Sequence, residues 1–241
     1  MPAHSSETPY TERNAADALD AILERLAGGL VVSCQAASGS PMRHTPTIVR
    51  LAESALAGGA VGLRINGVAD ITATRPRVSV PIIGLDKQQG RGRSIITATD
   101  AQVSALAAAG ADMVAVDATE EVAGDVGARV LRARSASPLP VMADVSTLDE
   151  GLAAWQAGAA IVGTTLSGYT PNSPAQQGPD IELVARLADH GVRVIAEGRL
   201  QSPDDVARAF DAGAFAVVVG GAITDPIGIT RRFGAATPRN R

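Results

Sequence analysis

The residues best suited to chemistry are a lysine and a glutamate, each placed where a run of branched apolar residues stops. Lys87 closes Val80–Lys87, which reads Val-Pro-Ile-Ile-Gly-Leu-Asp-Lys, and Glu197 follows Val192–Ala196 in the sequence Glu197-Gly198-Arg199. An apolar run that ends abruptly in charge suits a parallel strand covered by helices on both faces, with its charged end turned to a pocket. A base and a carboxylate at equivalent strand ends can carry a proton to and from a substrate. A lysine with its ordinary pKa of about 10.4 is protonated near neutrality, so Lys87 needs desolvation or a nearby cation such as Arg64 to act as a base.

The elements that must position this pair form a repeating unit. Helical segments close in Ala-Gly-Ala or similar, and a short apolar strand follows: Ala57-Gly58-Gly59-Ala60 before Val61, Ala109-Gly110-Ala111 before Met113, Ala157-Gly158-Ala159 before Ile161, and Ala212-Gly213-Ala214 before Ala216. The glycine stands where a left-handed helix cap is needed. Strands are expected at Leu30–Cys34, Ala60–Ile65, Val80–Leu85, Met113–Val116, Pro140–Ala143, Ala160–Thr164, Val192–Ala196 and Ala216–Val219. Eight strands alternating with helices predict an α/β protein of the (β/α)8 TIM-barrel class. No G-x-G-x-x-G follows the first strand, which argues against a dinucleotide fold. The expected organisation is a disordered tail over 1–14, one barrel domain over 15–236 and a C-terminal tail over 237–241. A helix is expected from Ala15 to Leu26, with Leu19, Ile22, Leu23 and Leu26 on one face. Gly67–Arg75 is short for a barrel helix, and the long Leu166–Pro179 stretch reads as a lid or insertion.

Length and composition agree with one domain that handles a small molecule. The chain has 241 residues, 46% of them hydrophobic, with a net charge of −4 and only 2% aromatic residues. That balance argues against a nucleic-acid surface. The single cysteine, Cys34, excludes an internal disulfide, and no apolar run is long enough to span a bilayer. The polar N-terminus lacks a signal-peptide core, so a cytoplasmic enzyme is expected.

In such a barrel the active face lies at the C-terminal strand ends. The polar residues and glycines expected there are Gln35, Arg64, Lys87, Asp117, Asp144, Ser146, Thr164, Thr165, Glu197, Arg199, Gly220 and Gly221. Each has a bland reading. Lys87 could be a solvated loop residue, and Asp117 and Asp144 could simply be ion-pair partners of Arg64 or Lys87. The Cys34 thiol points away from the pocket if Gln35 points in. His4, His44 and His190 are too scattered to make a metal site. Gly220-Gly221, after the last strand, could approach a phosphate through backbone N–H groups or be an ordinary turn.

Several runs together resemble the N-acetylmannosamine-6-phosphate 2-epimerase family of sialic-acid catabolism. They are Val32-Ser33-Cys34-Gln35, Gly62-Leu63-Arg64-Ile65, Val80–Lys87, Gly110–Thr119, Ala143-Asp144-Val145-Ser146-Thr147, the Gly-Thr-Thr-Leu-Ser-Gly-Tyr-Thr run of Gly163–Thr170, Val194–Arg199 and Val219–Thr224. The resemblance implies interconversion of N-acetylmannosamine 6-phosphate and N-acetylglucosamine 6-phosphate at C2, without metal or organic cofactor. It implies Lys87 as catalytic acid/base and Glu197 as its partner. Gln35, Arg64, Asp144, Ser146, Thr164 and Arg199 would bind the sugar, and Gly198, Gly220 and Gly221 its phosphate. The expected partners are a small amino-sugar phosphate and, as a homodimer, a second copy of the chain.

Two positions depart from the family pattern. The catalytic lysine is followed by Gln88-Gln89 where the family usually has arginine, and Ala222-Ile223-Thr224 runs into Asp225 where the family has arginine. An aspartate there would repel a phosphate dianion. Arg199, Arg231 and Arg232 are the cations that could compensate. The alternatives weighed are another phosphate-binding barrel isomerase, of the pentulose-phosphate epimerase kind, and a catalytically silent sugar-phosphate sensor. The sensor would need neither Lys87 nor Glu197.

Overall fold

The computed structural model describes residues 8–90 and 92–239. Eight parallel strands close into a barrel: β1 (Leu30–Cys34), β2 (Gly62–Asn66), β3 (Ile82–Leu85), β6 (Met113–Asp117), β7 (Val141–Asp144), β8 (Ile161–Gly163), β9 (Val194–Glu197) and β10 (Ala216–Val219), in that cyclic order. The two remaining strands, β4 (Lys87–Gln89) and β5 (Ser94–Ile96), form an antiparallel hairpin outside the ring. All eight expected barrel strands are present, Leu30–Cys34 and Ala216–Val219 with the expected ends and the others shifted at one or both ends by one or two residues.

The strands hold because both faces are apolar. Val31, Ile83, Leu85, Met113, Ala115, Met142, Ile161, Ile195, Ala216 and Val218 belong to one buried cluster. Residues of opposite parity, among them Val32, Cys34, Leu63, Ile65, Val114, Val116, Val162, Val194 and Val217, pack in the clusters that face the surrounding helices. This alternation sends Cys34 outward, fully buried, and burial pushes its thiol up to about 12. It is no nucleophile.

The helix Thr8–Leu26 starts earlier than the expected Ala15, so half of the expected tail is helical; residues 1–7 lie outside the described residues. Leu23 and Leu26 join the same cluster as the barrel interior, and Gly28 N donates to Phe215 O. The helix therefore plugs the N-terminal mouth, leaving the opposite mouth for a site. Burying a leucine such as Leu26, 0% exposed, contributes about 1.5–3 kcal/mol.

Helix starts are set locally. Thr99 with Gln102, Thr147 with Glu150 and Ser202 with Asp205 form capping boxes, and Asp125 and Asp180 cap two further helices. Such caps stabilise a helix by about 1 kcal/mol each. The repeated glycines act as expected: Gly59, Gly110, Gly158 and Gly213 have φ of +96°, +98°, +87° and +92°. At Gly158 a Cβ would also sit 2.5 Å from the Arg134 guanidinium.

Candidate active site

At the C-terminal mouth lies an open cavity of about 780 Å³. Its wall includes Gln35, Lys87, Glu197, Arg199 and, at one end, Gly198, Gly220 and Gly221. The sequence therefore delivers most of its expected site residues to one place.

Lys87 does not end a barrel strand, as expected, but opens the hairpin two residues beyond β3. The barrel strand stops at Leu85, and Asp86 is held by Thr97 on both backbone groups: Asp86 N donates to Thr97 Oγ1 at 3.0 Å and Thr97 N to Asp86 O at 2.8 Å. Lys87 N donates to Asn66 Oδ1 at 2.8 Å. Its side chain reaches into the open cavity, where among the described residues its ammonium makes no hydrogen bond or ion pair. The side chain is exposed to the cavity mouth, yet the surrounding protein atoms partly desolvate it, and the Arg64 cation adds to that effect. Together they push its pKa below the ordinary 10.5, against the opposing pull of Glu197 and Asp144.

Lys87 is also the one lysine among the 21 Lys and Arg residues of the chain. Elsewhere the protein meets its need for positive charge with arginine, which stays protonated. Lysine is the basic side chain that can lose its proton when buried. The composition thus singles out Lys87 without any structure, a signal that motif reading passes over.

Glu197, at the end of β9, is held by Arg64 of β2, whose NH1 donates to Glu197 Oε2. Arg64 NH2 donates to Asp144 Oδ2, at the end of β7, at 2.5 Å. Arg64 and Asp144 are 1% and 0% exposed. They lie beneath the cavity wall rather than in it, because the buried guanidinium is committed to two carboxylates. The expectation that they grip the sugar becomes one that they fix Glu197. Burial, with Glu197 adding to it, pushes the Asp144 carboxyl up to about 7, against the pull of Arg64.

Thr165 completes this network. Its Oγ1 donates to Asp144 Oδ1 at 2.5 Å and lies 3.3 Å from Glu197 Oε2. It lines the cavity, whereas the expected Thr164 is 3% exposed and ties β8 to β9 by accepting from Glu197 N and donating to Glu197 O. The parity of the strand end selects the second of two adjacent threonines.

Ser146 is corrected as well. Its hydroxyl donates to Glu150 Oε2 at 2.8 Å and accepts from Thr170, and it faces a separate cavity of about 330 Å³. Arg199 has φ +56° and donates to Gly178 O and Ser167 O, both at 2.8 Å, with Tyr169 stacked 4.8 Å from its guanidinium carbon. It spends its donors on the Leu166–Pro179 segment, which is pinned to the barrel rather than open. Gln35 lines the cavity with its Nε2 on Ser33 Oγ at 2.7 Å.

Asp117 pairs with neither Arg64 nor Lys87. It is fully buried against Arg93, a cavity residue that sequence reading missed. Of the three compensating cations, Arg231 lines the cavity together with Asp225, whereas Arg232 bonds Gln201 Oε1. Among the described residues no group of three or more His, Cys, Asp or Glu side chains could hold a metal ion.

Chemically, the site offers a lysine of lowered pKa and a carboxyl group lining one cavity, the first just beyond β3 and the second at the end of β9. β3 and β9 stand four positions apart around the eight-strand ring. Such a pair can remove a proton from one face of a carbon and supply one to the other.

The chain is similar to known proteins. The family described as "Putative N-acetylmannosamine-6-phosphate epimerase" matches residues 48–239. Relatives named "Putative N-acetylmannosamine-6-phosphate 2-epimerase" include one from Cutibacterium acnes, 45% identical over 89% of this chain and 96% of its own. Another, from Caldanaerobacter subterraneus subsp. tengcongensis, is 46% identical over 88% and 92%. The solved N-acetylmannosamine-6-phosphate 2-epimerase from Clostridium perfringens superposes with a TM-score of 0.82 at 35% identity, covering 98% of this chain and 100% of that one. Thiamine phosphate pyrophosphorylase from Pyrococcus furiosus, at 18% identity and a TM-score of 0.60, shares the fold alone. A family match across four fifths of the chain, with relatives this similar along nearly their whole lengths, means that the chain belongs to the N-acetylmannosamine-6-phosphate epimerase family.

Proposed function

We propose that the protein interconverts N-acetylmannosamine 6-phosphate and N-acetylglucosamine 6-phosphate by proton transfer at C2, in amino-sugar catabolism. The observation that carries this reading is the Lys87 amine, unpaired among the described residues and lowered in pKa, sharing one cavity with the Glu197 carboxyl group.

The C2 proton becomes acidic once the sugar ring opens and C1 is an aldehyde. The Lys87 amine takes the proton from one face, the C–H pair forms a C1=C2 bond, and the carbonyl pair moves onto O1. Collapse of this enolate re-forms C1=O while the Glu197 carboxyl group returns a proton to the opposite face of C2, inverting it. In the reverse direction the two residues exchange roles. Gln35 and backbone N–H groups are the donors for the enolate oxygen. Arg64, Asp144 and Thr165 hold Glu197 at its post.

The phosphate is assigned to the end of the cavity formed by Gly198, Gly220 and Gly221, where no side chain separates backbone from ligand. Arg231 supplies the cation there and offsets Asp225. The proposal includes a homodimer, supported by Ile223, Ile227 and Phe233, exposed by 44%, 38% and 74%. It also includes a cytoplasmic setting. No helix among the described residues is long and apolar enough to cross a membrane.

The test is turnover of each sugar with and without its 6-phosphate, followed by separation of the epimers. The phosphorylated pair should interconvert with the higher kcat/KM. Preference for unphosphorylated N-acetylmannosamine would contradict the phosphate assignment and leave the lysine chemistry standing. A chain that binds these sugars without converting them is the sensor, not the enzyme.

A further inference from the structure

Lys87 owes its position to a small element. The hairpin β4/β5 has strands of three residues each, paired Lys87 to Ile96, Gln88 to Ile95 and Gln89 to Ser94. A two-stranded hairpin of this size is marginal on its own. With its ammonium free of partners among the described residues, Lys87 stays wherever the hairpin holds it.

Besides the Lys87 N bond to Asn66 and the buried Ile96, the hairpin is tied to the barrel through a buried carboxylate. Arg93, next to β5, reaches to the end of β6, where NH1 donates to Asp117 Oδ2 at 2.6 Å and NH2 to Thr119 Oγ1 at 2.9 Å. Its Nε donates to Glu121 Oε2 at 3.0 Å. Asp117 Oδ2 also lies 3.5 Å from the N–H of Ile96, the residue paired with Lys87. Asp117 is 0% exposed and Arg93 12%. A fully buried carboxylate requires its partners, so this contact has one geometry rather than many.

We propose that Arg93 and Asp117 are positioning residues that clamp the hairpin and thereby hold Lys87 beside Arg64. Arg93 borders the cavity, yet its five donors are directed at Asp117, Thr119, Glu121 and the Ser94 carbonyl. It acts on turnover through the lysine, not by gripping the sugar. Loosening the clamp lets Lys87 move toward solvent and away from the cation that depresses it. The charged groups acting on the lysine are Arg64, Glu197 and Asp144.

The inference rests on the epimerase reading for its kinetic consequence, but its first measurement needs no substrate. Because the chain has a single lysine, isotopically labelled lysine gives one side-chain NMR signal, whose titration is that of Lys87. The variant is Arg93→Met/Asp117→Asn, which removes both charges and leaves no lone buried ion. The clamp predicts that the Lys87 pKa rises toward its ordinary 10.5 in this variant. It further predicts a kcat lowered about tenfold or more with KM within about threefold. The milder Asp117→Asn, which keeps the shape of the side chain, leaves Arg93 paired with Glu121 and adds no second lysine, should fall between variant and wild type on both scales.

An unmoved Lys87 titration overturns the proposal. So does a rise in KM with kcat unchanged, which would make Arg93 a sugar contact. Should the double variant fail to fold, Asp117→Asn decides alone: a raised titration supports the clamp and an unmoved one overturns it. Wild-type protein that shows a depressed, clamp-dependent lysine but no epimerisation would refute the epimerase reading and leave the clamp intact.

Discussion

Two carboxylates and two cations meet within the mouth of the barrel, and their division of labour follows from which of them can lose a proton. Arg64 cannot, so it serves as the fixed charge that holds Glu197 and Asp144 and lowers Lys87. Lys87→Ala should lower kcat by roughly 10²–10⁴-fold while the sugar phosphate still binds, as calorimetry would show. Lys87→Arg should be equally inactive, although it restores the charge; recovery of turnover would mean that the cation, and not the proton transfer, matters. In the direction where Lys87 is the base, activity needs its neutral form. On the acid side turnover should therefore rise with pH toward the depressed lysine pKa. Glu197 raises that pKa, so Glu197→Gln should move the midpoint to lower pH while reducing the rate. Asp144 has a different job. Removing it leaves Arg64 with one carboxylate at a fully buried site, a class of change that costs about 3–5 kcal/mol. Asp144→Ala should lower Tm by about 6–20 °C in thermal denaturation, whereas Lys87→Ala, at a solvent-accessible cavity position, should not.

Elements position these residues in two ways, and only one is legible in the sequence. Barrel strands announce themselves through apolar runs and the recurring glycine caps, so the eight strands and the placement of Gln35 and Glu197 follow directly. The hairpin β4/β5 does not. Its strands are three residues long, Lys87–Gln89 is wholly polar, and the buried pair of Arg93 and Asp117 that ties it to β6 spans 24 residues, which no local pattern encodes. The pair Arg64 and Asp144 is separated by 80 residues, and from sequence either could equally face the sugar. Strand-end parity decided the remaining cases: Thr165 enters the cavity where Thr164 does not, and Ser146 turns to support the Leu166–Pro179 segment. That segment reads as a lid from composition, yet Ser167, Thr170 and Ser173 are buried and Arg199 holds it at two carbonyls. Arg199→Ala should make the segment more accessible to protease and raise KM more than it lowers kcat. Unchanged cleavage there would mean that the buried serines and threonine suffice.

At the scale of the molecule, the barrel separates stability from chemistry. The N-terminal mouth is plugged by the helix Thr8–Leu26, and the C-terminal mouth carries the cavity, with its glycine-lined end beside β9 and β10 and the proton-transfer pair across its middle. Charge at the glycine end departs from what the resemblance implies, because Asp225 stands beside Gly221, and Arg231 lines the same cavity. Asp225→Arg should lower KM for the phosphorylated sugar with little change in kcat, since the phosphate is remote from C2. Equal KM in both proteins would show that Arg231 and the backbone already neutralise the aspartate. The most direct test of the central claim is to incubate the protein with N-acetylglucosamine 6-phosphate in D₂O and follow C2 by NMR. The account predicts that the manno epimer appears, that deuterium enters C2 of both epimers, and that Lys87→Ala does neither. Interconversion through many turnovers with protium retained at C2, or undiminished in Lys87→Ala, would contradict it.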